Sequence, residues 1–181
     1  MAEHIRTSDG VHFLGSEDWS LGDLSEDNDN HECAFVDASG VGLGIYLPWR
    51  NVGLWADLPC TAPKDAIFWY EALAACSAVH YIAYNIHYPV NRLAVFSDNT
   101  NTVSLFNTLR ALPAYNSIAQ SAVDALLSEN LQLHVGHIPG KENVIADALS
   151  RKWLDEVCAR MPGIKLLKFS PPRDVLGAVK K

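Results

Sequence analysis

Cys33-Ala34-Phe35-Val36-Asp37-Ala38-Ser39-Gly40-Val41-Gly42 is the stretch that decides the fold. Four residues without polar alternation run into a carboxylate, and a turn of small residues follows. An unbroken apolar run of this length reads as a strand buried on both faces. An aspartate closing such a strand stands where open α/β sheets place their sites, outside the carboxyl ends of the strands. The pattern recurs at Leu93-Ala94-Val95-Phe96-Ser97-Asp98. Two buried strands ending in aspartate are the frame on which the rest is read.

Beyond the Ser39-Gly40 turn, residues 43–47 and 52–56 read as strands separated by Pro48-Trp49-Arg50-Asn51. Connections this short fit an antiparallel meander with 33–37. Residues 66–85 read as a helix with the stripe Ile67, Glu71, Ala74, Ala78 and Ile82. After the strand 93–97, residues 99–110 and 114–129 read as helices, 131–137 as a last strand and 142–160 as one helix. A helix between the third and fourth strands makes a crossover. The predicted class is α/β, with a five-stranded mixed sheet flanked by helices, three strands antiparallel and then two parallel.

The chain has 181 residues, 49% hydrophobic and 19% charged, which fits one globular domain and excludes a disordered chain. No apolar stretch is long enough to span a membrane, and the N-terminus lacks the basic-then-apolar pattern of a secretory signal. The expectation is an intracellular protein, of cytoplasm or nucleus, without a membrane partner. Cys33, Cys60, Cys76 and Cys158 form no C-x-x-C pair, which argues against zinc or redox motifs. The net charge of −7 is distributed unevenly, with −8 in residues 1–32, +4 in 162–181 and −3 between them. The acidity thus belongs to a leader and a site, and it does not exclude a phosphate-bearing partner. The expected layout is an acidic, partly flexible leader at 1–32, a catalytic domain at 33–160 and a basic, proline-containing tail at 161–181. Phe13, Leu14 and Trp19 are the leader residues able to dock on the domain.

Four carboxylates carry the chemistry: Asp37, Glu71, Asp98 and Asp147. Each has a plainer reading. Asp37 suits a turn cap, Asp98 a helix cap, and Asp147 an i,i+4 pair with Arg151. Glu71 resists this treatment, because its stripe is apolar and no basic residue lies within a turn of it. A buried carboxylate must protonate or find a cation. Acids converging from two strand ends and two helices suit hard divalent cations, the kind of centre that in-line phosphodiester chemistry uses. His137 follows the last strand in a loop, where it is either a surface histidine or a proton carrier near neutral pH. His80 and His87 read as structural or surface groups, and Trp69 and Tyr70 as packing. Asn99, Thr100 and Asn101 follow Asp98 at a helix start and suit either capping or contact with phosphate and ribose 2′-OH groups. Lys141 and Arg151 are candidate phosphate contacts near Asp147, and Lys152 lies beside them.

Phe35-Val36-Asp37-Ala38-Ser39, Trp69-Tyr70-Glu71-Ala72-Leu73, Phe96-Ser97-Asp98-Asn99-Thr100 and the block His137-Ile138-Pro139-Gly140-Lys141-Glu142-Asn143-Val144-Ile145-Ala146-Asp147-Ala148-Leu149-Ser150-Arg151 together resemble the RNase H domain. The resemblance covers residues 33–158 and is closer to the form in retroelement reverse transcriptases, of gypsy-like or DIRS-like type. It implies an RNase H-like fold and an endonuclease that cuts the RNA strand of RNA–DNA hybrids, leaving 5′-phosphate and 3′-hydroxyl ends. It implies the tetrad Asp37, Glu71, Asp98 and Asp147 around two Mg²⁺ ions, with Mn²⁺ as substitute, and His137 as the assisting loop histidine. It implies nucleic-acid contacts from Ser39, Gly40, Asn99, Thr100, Asn101, Lys141 and Arg151. It also implies adjacent reverse transcriptase domains as partners, for a chain expected to be a monomer. Asn99 and Thr100 depart from the family's usual Gly or Ser followed by Gln. The basic protrusion of the cellular enzymes is absent from the span between Asp98 and Asp147. Two other readings stand beside this one: a non-catalytic structural or domesticated domain, and a fold-related DNA nuclease.

Overall fold

A computed structural model describes residues 19–60, 67–86 and 90–176. Phe13, Leu14, His87, the expected helix start at 66 and the end of the tail beyond 176 lie outside the described residues.

Strands β1 (His31–Ala38), β2 (Gly42–Leu47), β3 (Val52–Asp57), β4 (Arg92–Ser97), β5 (Gln132–His137) and β6 (Lys165–Lys168) form one sheet in the order β5-β4-β1-β2-β3-β6. β1 sits near the middle, antiparallel to β2 and parallel to β4. This position explains its sequence: with a helical layer on each face, neither face has room for polar alternation. Ala34 and Val36 point into the larger core, while Phe35 joins a second cluster with Tyr46, Leu149 and Val157.

Helix α1 (Ile67–Asn85) packs on β1, β2 and β4, and is flanked by α2 (Thr100–Thr108) and α3 (Asn116–Ser128). Ala72, Ala74, Ala75 and Ala78 are buried, and their small side chains bring α1 close to the sheet and to α3. Leu73, Val79 and Ile82 fill the space between, each worth about 1.5–3 kcal/mol of burial. The single stripe expected for α1 is therefore too narrow, because the helix is covered on most sides. Its first member, Ile67, is 49% exposed and does not belong to it.

Helices α4 (Val144–Ser150) and α5 (Leu154–Arg160) lie on the opposite face. α4 rests directly on the β2 backbone: a Cβ at Gly44 would stand 2.3 Å from the Ala146 carbonyl oxygen.

Two differences from the sequence reading have physical causes. The single helix expected over 142–160 is two. Lys152 turns into the left-handed region at φ 61°, Trp153 N–H donates to the Ala148 carbonyl at 2.9 Å and Lys152 N–H to that of Leu149 at 3.0 Å. This is a Schellman ending built without the glycine that usually announces it. The sheet has six strands, not five, because Lys165–Lys168 pairs in parallel with Val52–Trp55 inside the expected tail. The leader contributes as its apolar residues allowed: Trp19 is buried, edge-on to His134 with ring centroids 4.3 Å apart, and β1 begins within it at His31. No helix among the described residues is long and apolar enough to cross a membrane.

Candidate functional site

Parallel pairing of β1 with β4 runs through Phe35 opposite Phe96, so Asp37 and Asp98 follow side by side at the same end of the sheet. Glu71 reaches them from the first half of α1. One oxygen from each of Asp37, Glu71 and Asp98 falls within 4.8 Å of the others, in a group able to hold a metal ion. Asp37 and Glu71 are buried, and Asp98 is half-buried.

Burial pushes the Asp37 carboxyl up to about 6, with Asp147 and Asp98 adding to the rise and the Ser150 hydroxyl opposing it. Burial, then the charges of Asp37 and Asp98, push Glu71 up to about 9, against a hydrogen bond from the Ala38 backbone. Glu71 Oε2 is enclosed and makes no hydrogen bond. Three like charges and an orphaned acceptor cannot all persist ionised in so small a space without a proton or a cation. Hard oxygen donors at this spacing fit Mg²⁺ or Mn²⁺.

Asp147 stands at the edge of this group, on α4. Its Oδ1 accepts from Arg151 Nε at 2.8 Å, the i,i+4 pair that the sequence offered as the plainer reading. It still raises the Asp37 and Glu71 carboxyls electrostatically, so it faces the same space. His137 ends β5 opposite Ser97, at the same sheet end, and is exposed. The loop after it closes over Asp98: a Cβ on Gly140 would lie 2.8 Å from Asp98 Oδ2. Glycine leaves room for this approach, since a side chain would make the Asp98 carboxylate shift.

The remaining candidates separate into two sets. Ser39 is buried and its hydroxyl is occupied. It donates to the Ser150 carbonyl at 2.9 Å and accepts from the Val41 and Gly42 backbones, so it ties the β1–β2 turn to α4 instead of facing a ligand. The Asn99 side chain caps α2, accepting from the Asn101 and Thr102 backbones at 3.0 and 3.2 Å. Both side chains thus have structural partners within the fold. Gly40, Thr100, Asn101, Lys141 and Arg151 are exposed. Asn101 lines an open groove of about 310 Å³ with Phe68, Arg110 and Tyr115.

Sequence reading missed two supporting residues. Ser150 Oγ lies 2.6 Å from Asp37 Oδ2 and is fully buried. Asn143 Nδ2 donates to the Val36 carbonyl at 2.8 Å and fixes the start of α4 against β1. The only signal was their place in the 137–151 block. A buried ion pair was also missed: Glu32 is 1% exposed and pairs with Arg50 and the Cys33 backbone.

No family model and no curated protein matches the chain. Among solved structures it is similar to RNase H1 from the halophilic archaeon Halobacterium salinarum NRC-1, with 17% identity and a TM-score of 0.50 over 70% of this chain and 98% of that one. It is also similar to LC11-RNase H1 in complex with an RNA/DNA hybrid, with 14% identity and a TM-score of 0.52 over 69% and 97%. Nearly the whole of each of these structures is covered, and the chain has an RNase H-like fold.

Proposed function

We propose that the chain is a metal-dependent endoribonuclease that hydrolyses the RNA strand of RNA–DNA hybrids. The observation that carries this reading is the buried convergence of Asp37, Glu71 and Asp98 at the carboxyl ends of β1 and β4, with Glu71 Oε2 lacking any partner. Asp37, Glu71, Asp98 and Asp147 would hold two Mg²⁺ ions, or Mn²⁺ in their place. Bound there, the cations supply Lewis acidity toward the attacking water and the phosphate oxygens. Water attacks phosphorus, the bond to the 3′-oxygen breaks, and the products are a 5′-phosphate and a 3′-hydroxyl.

The chain's own groups do the positioning. The Ser150 hydroxyl fixes one Asp37 oxygen, and Gly140 leaves the loop close to Asp98. Arg151 holds Asp147 at the rim and can turn to a phosphate when a cation takes its place. His137 takes the proton released by the attacking water, so its loss slows the reaction without abolishing it. Thr100 and Asn101, exposed at the start of α2, would read ribose 2′-OH groups, and the exposed Lys141 and Gly40 would meet the backbone.

The motif from His137 to Arg151 supports a retroelement reverse transcriptase context. Adjacent polymerase domains would then supply much of the grip on substrate. In isolation the chain should act weakly, better in Mn²⁺, and lose activity steeply with salt.

The deciding experiment is cleavage of a labelled RNA–DNA hybrid in Mg²⁺ and in Mn²⁺, beside RNA–RNA and DNA–DNA duplexes, with Asp98→Asn as control. Cutting of the hybrid alone, absent from the variant, is the expected result. Cutting of DNA duplex would overturn the substrate assignment. A folded protein that binds hybrid but cuts nothing would overturn the enzymatic one.

A further inference from the structure

The sixth strand carries more than packing. One register row crosses the sheet from Asp37 through Gly44 and Trp55 to Lys168. Three strand spacings of about 4.8 Å put Lys168 roughly 14 Å from Asp37 along that row. At the far end stands a compact group. Lys168 Nζ lies 4.8 Å and Lys152 Nζ 5.9 Å from the centre of the Trp55 ring. Both lysines pair with the exposed Asp57, Lys168 at 2.6 Å. Two cations therefore share one carboxylate over one indole, and the group keeps a net positive charge at the rim of an otherwise acidic site.

The backbone points the same way. Lys152 occupies the left-handed position of the Schellman ending, where glycine is the unstrained choice. A β-carbon there is strained, and the sequence bears that strain at the residue whose ammonium reaches Trp55 and Asp57. Arg151, next to it, lies 5.3 Å from the exposed Trp153 ring and lines the path back to Asp147. Lysine ammoniums fixed over an aromatic face at a site's rim suit phosphates of a nucleic-acid backbone.

We infer that Trp55, Lys152 and Lys168 form a ridge that grips the phosphate backbone of the RNA–DNA hybrid to one side of the bond being cut. This inference rests on the hybrid-nuclease reading for its substrate and adds a contact surface outside the carboxylate site. Asp57 is its internal competitor: it holds the lysines in place and yields them to phosphate.

The test is hybrid binding by fluorescence anisotropy across a salt series in Mg²⁺, in an Asp98→Asn background. Lys152→Gly, which suits the left-handed backbone, combined with Lys168→Ala should weaken binding roughly tenfold near 0.1 M salt. It should also lower the slope of log affinity against log salt by about 2, one unit for each phosphate no longer neutralised. Asp57→Asn should do the opposite and tighten binding. Pairs that merely support the fold would instead change thermal stability and leave both affinity and slope alone; that outcome overturns the ridge. Lys168→Gln alone gives the same answer if the double variant unfolds. A parent that fails to cut hybrid, yet shows the lysine-dependent slope, would overturn the nuclease reading and leave the ridge standing.

Discussion

Glu71 shows at one residue what the site requires. Its folded-state value, about 9, stands above the ordinary 4.5, so the metal-free fold holds a proton that the unfolded chain has released. The stability this proton confers is whole below about pH 4.5 and is lost as pH rises through about 9. Asp37 acts in the same sense between 3.8 and about 6. Thermal melts in chelator should therefore show Tm falling from about pH 5 to pH 9. Glu71→Gln should flatten that fall and raise stability near pH 8 by roughly 1–4 kcal/mol, while removing cleavage. A Tm that climbs with pH in chelator would contradict the burial argument. Divalent cations displace the same protons, so the rise in Tm on adding Mg²⁺ or Mn²⁺ should grow with pH. Asp98→Asn is nearly isosteric and should leave less than about a thousandth of the parent rate, some 4 kcal/mol of barrier. His137→Ala should cost about a hundredfold, read from single-turnover rates.

At the level of elements, the approach of α4 to β2 controls the geometry. Gly44→Ala would drive a methyl into the Ala146 carbonyl at 2.3 Å and lift α4, carrying Asp147 and Ser150 away from Asp37. Urea unfolding should report a loss of about 1–3 kcal/mol or more, with metal binding weakened besides. The strands β1 and β4 and the helix α1 were legible in the sequence because an unbroken apolar run and a long apolar helix are stable only when buried. Asp37, Glu71 and Asp98 were legible for the same reason, as charges in segments otherwise destined for burial. The break at 151–153 was not, because Lys152 takes a glycine's conformation and leaves no glycine to read. β6 was not legible either. Lys165-Leu166-Leu167-Lys168 is four residues long, and pairing with the β3 edge, not propensity, makes it a strand. The role of Ser39 was not legible, because turn-tying and ligand contact call for the same side chain, whereas Asn99 caps α2 as one of its two readings allowed.

Across the whole molecule, β6 and the residues around Trp19 extend the fold at its two ends. A chain ended after Gly163 would leave the β3 edge open and remove the half-buried Leu166 and Leu167 from the two cores they pack against. Such a chain should lose roughly 2 kcal/mol in denaturant unfolding and self-associate in sedimentation, as open edges do. Unchanged stability would show that β6 contributes nothing to the fold.

The bond between Ser150 and Asp37 spans 113 residues of chain. Seen along the time axis of synthesis, that span is a delay. Translation at about 5–20 residues per second places roughly 6–23 seconds between the emergence of Asp37 and the arrival of its serine. Through that interval Asp37, joined by Asp98 only 61 residues later, exists without the helix whose serine holds it. A nascent chain stalled before Ala146 lacks both Asp147 and Ser150, and should hold Mn²⁺ more weakly than the released chain. The order of residues in the chain therefore makes the acid group one of the last parts of the fold to be completed, once α4 has left the ribosome.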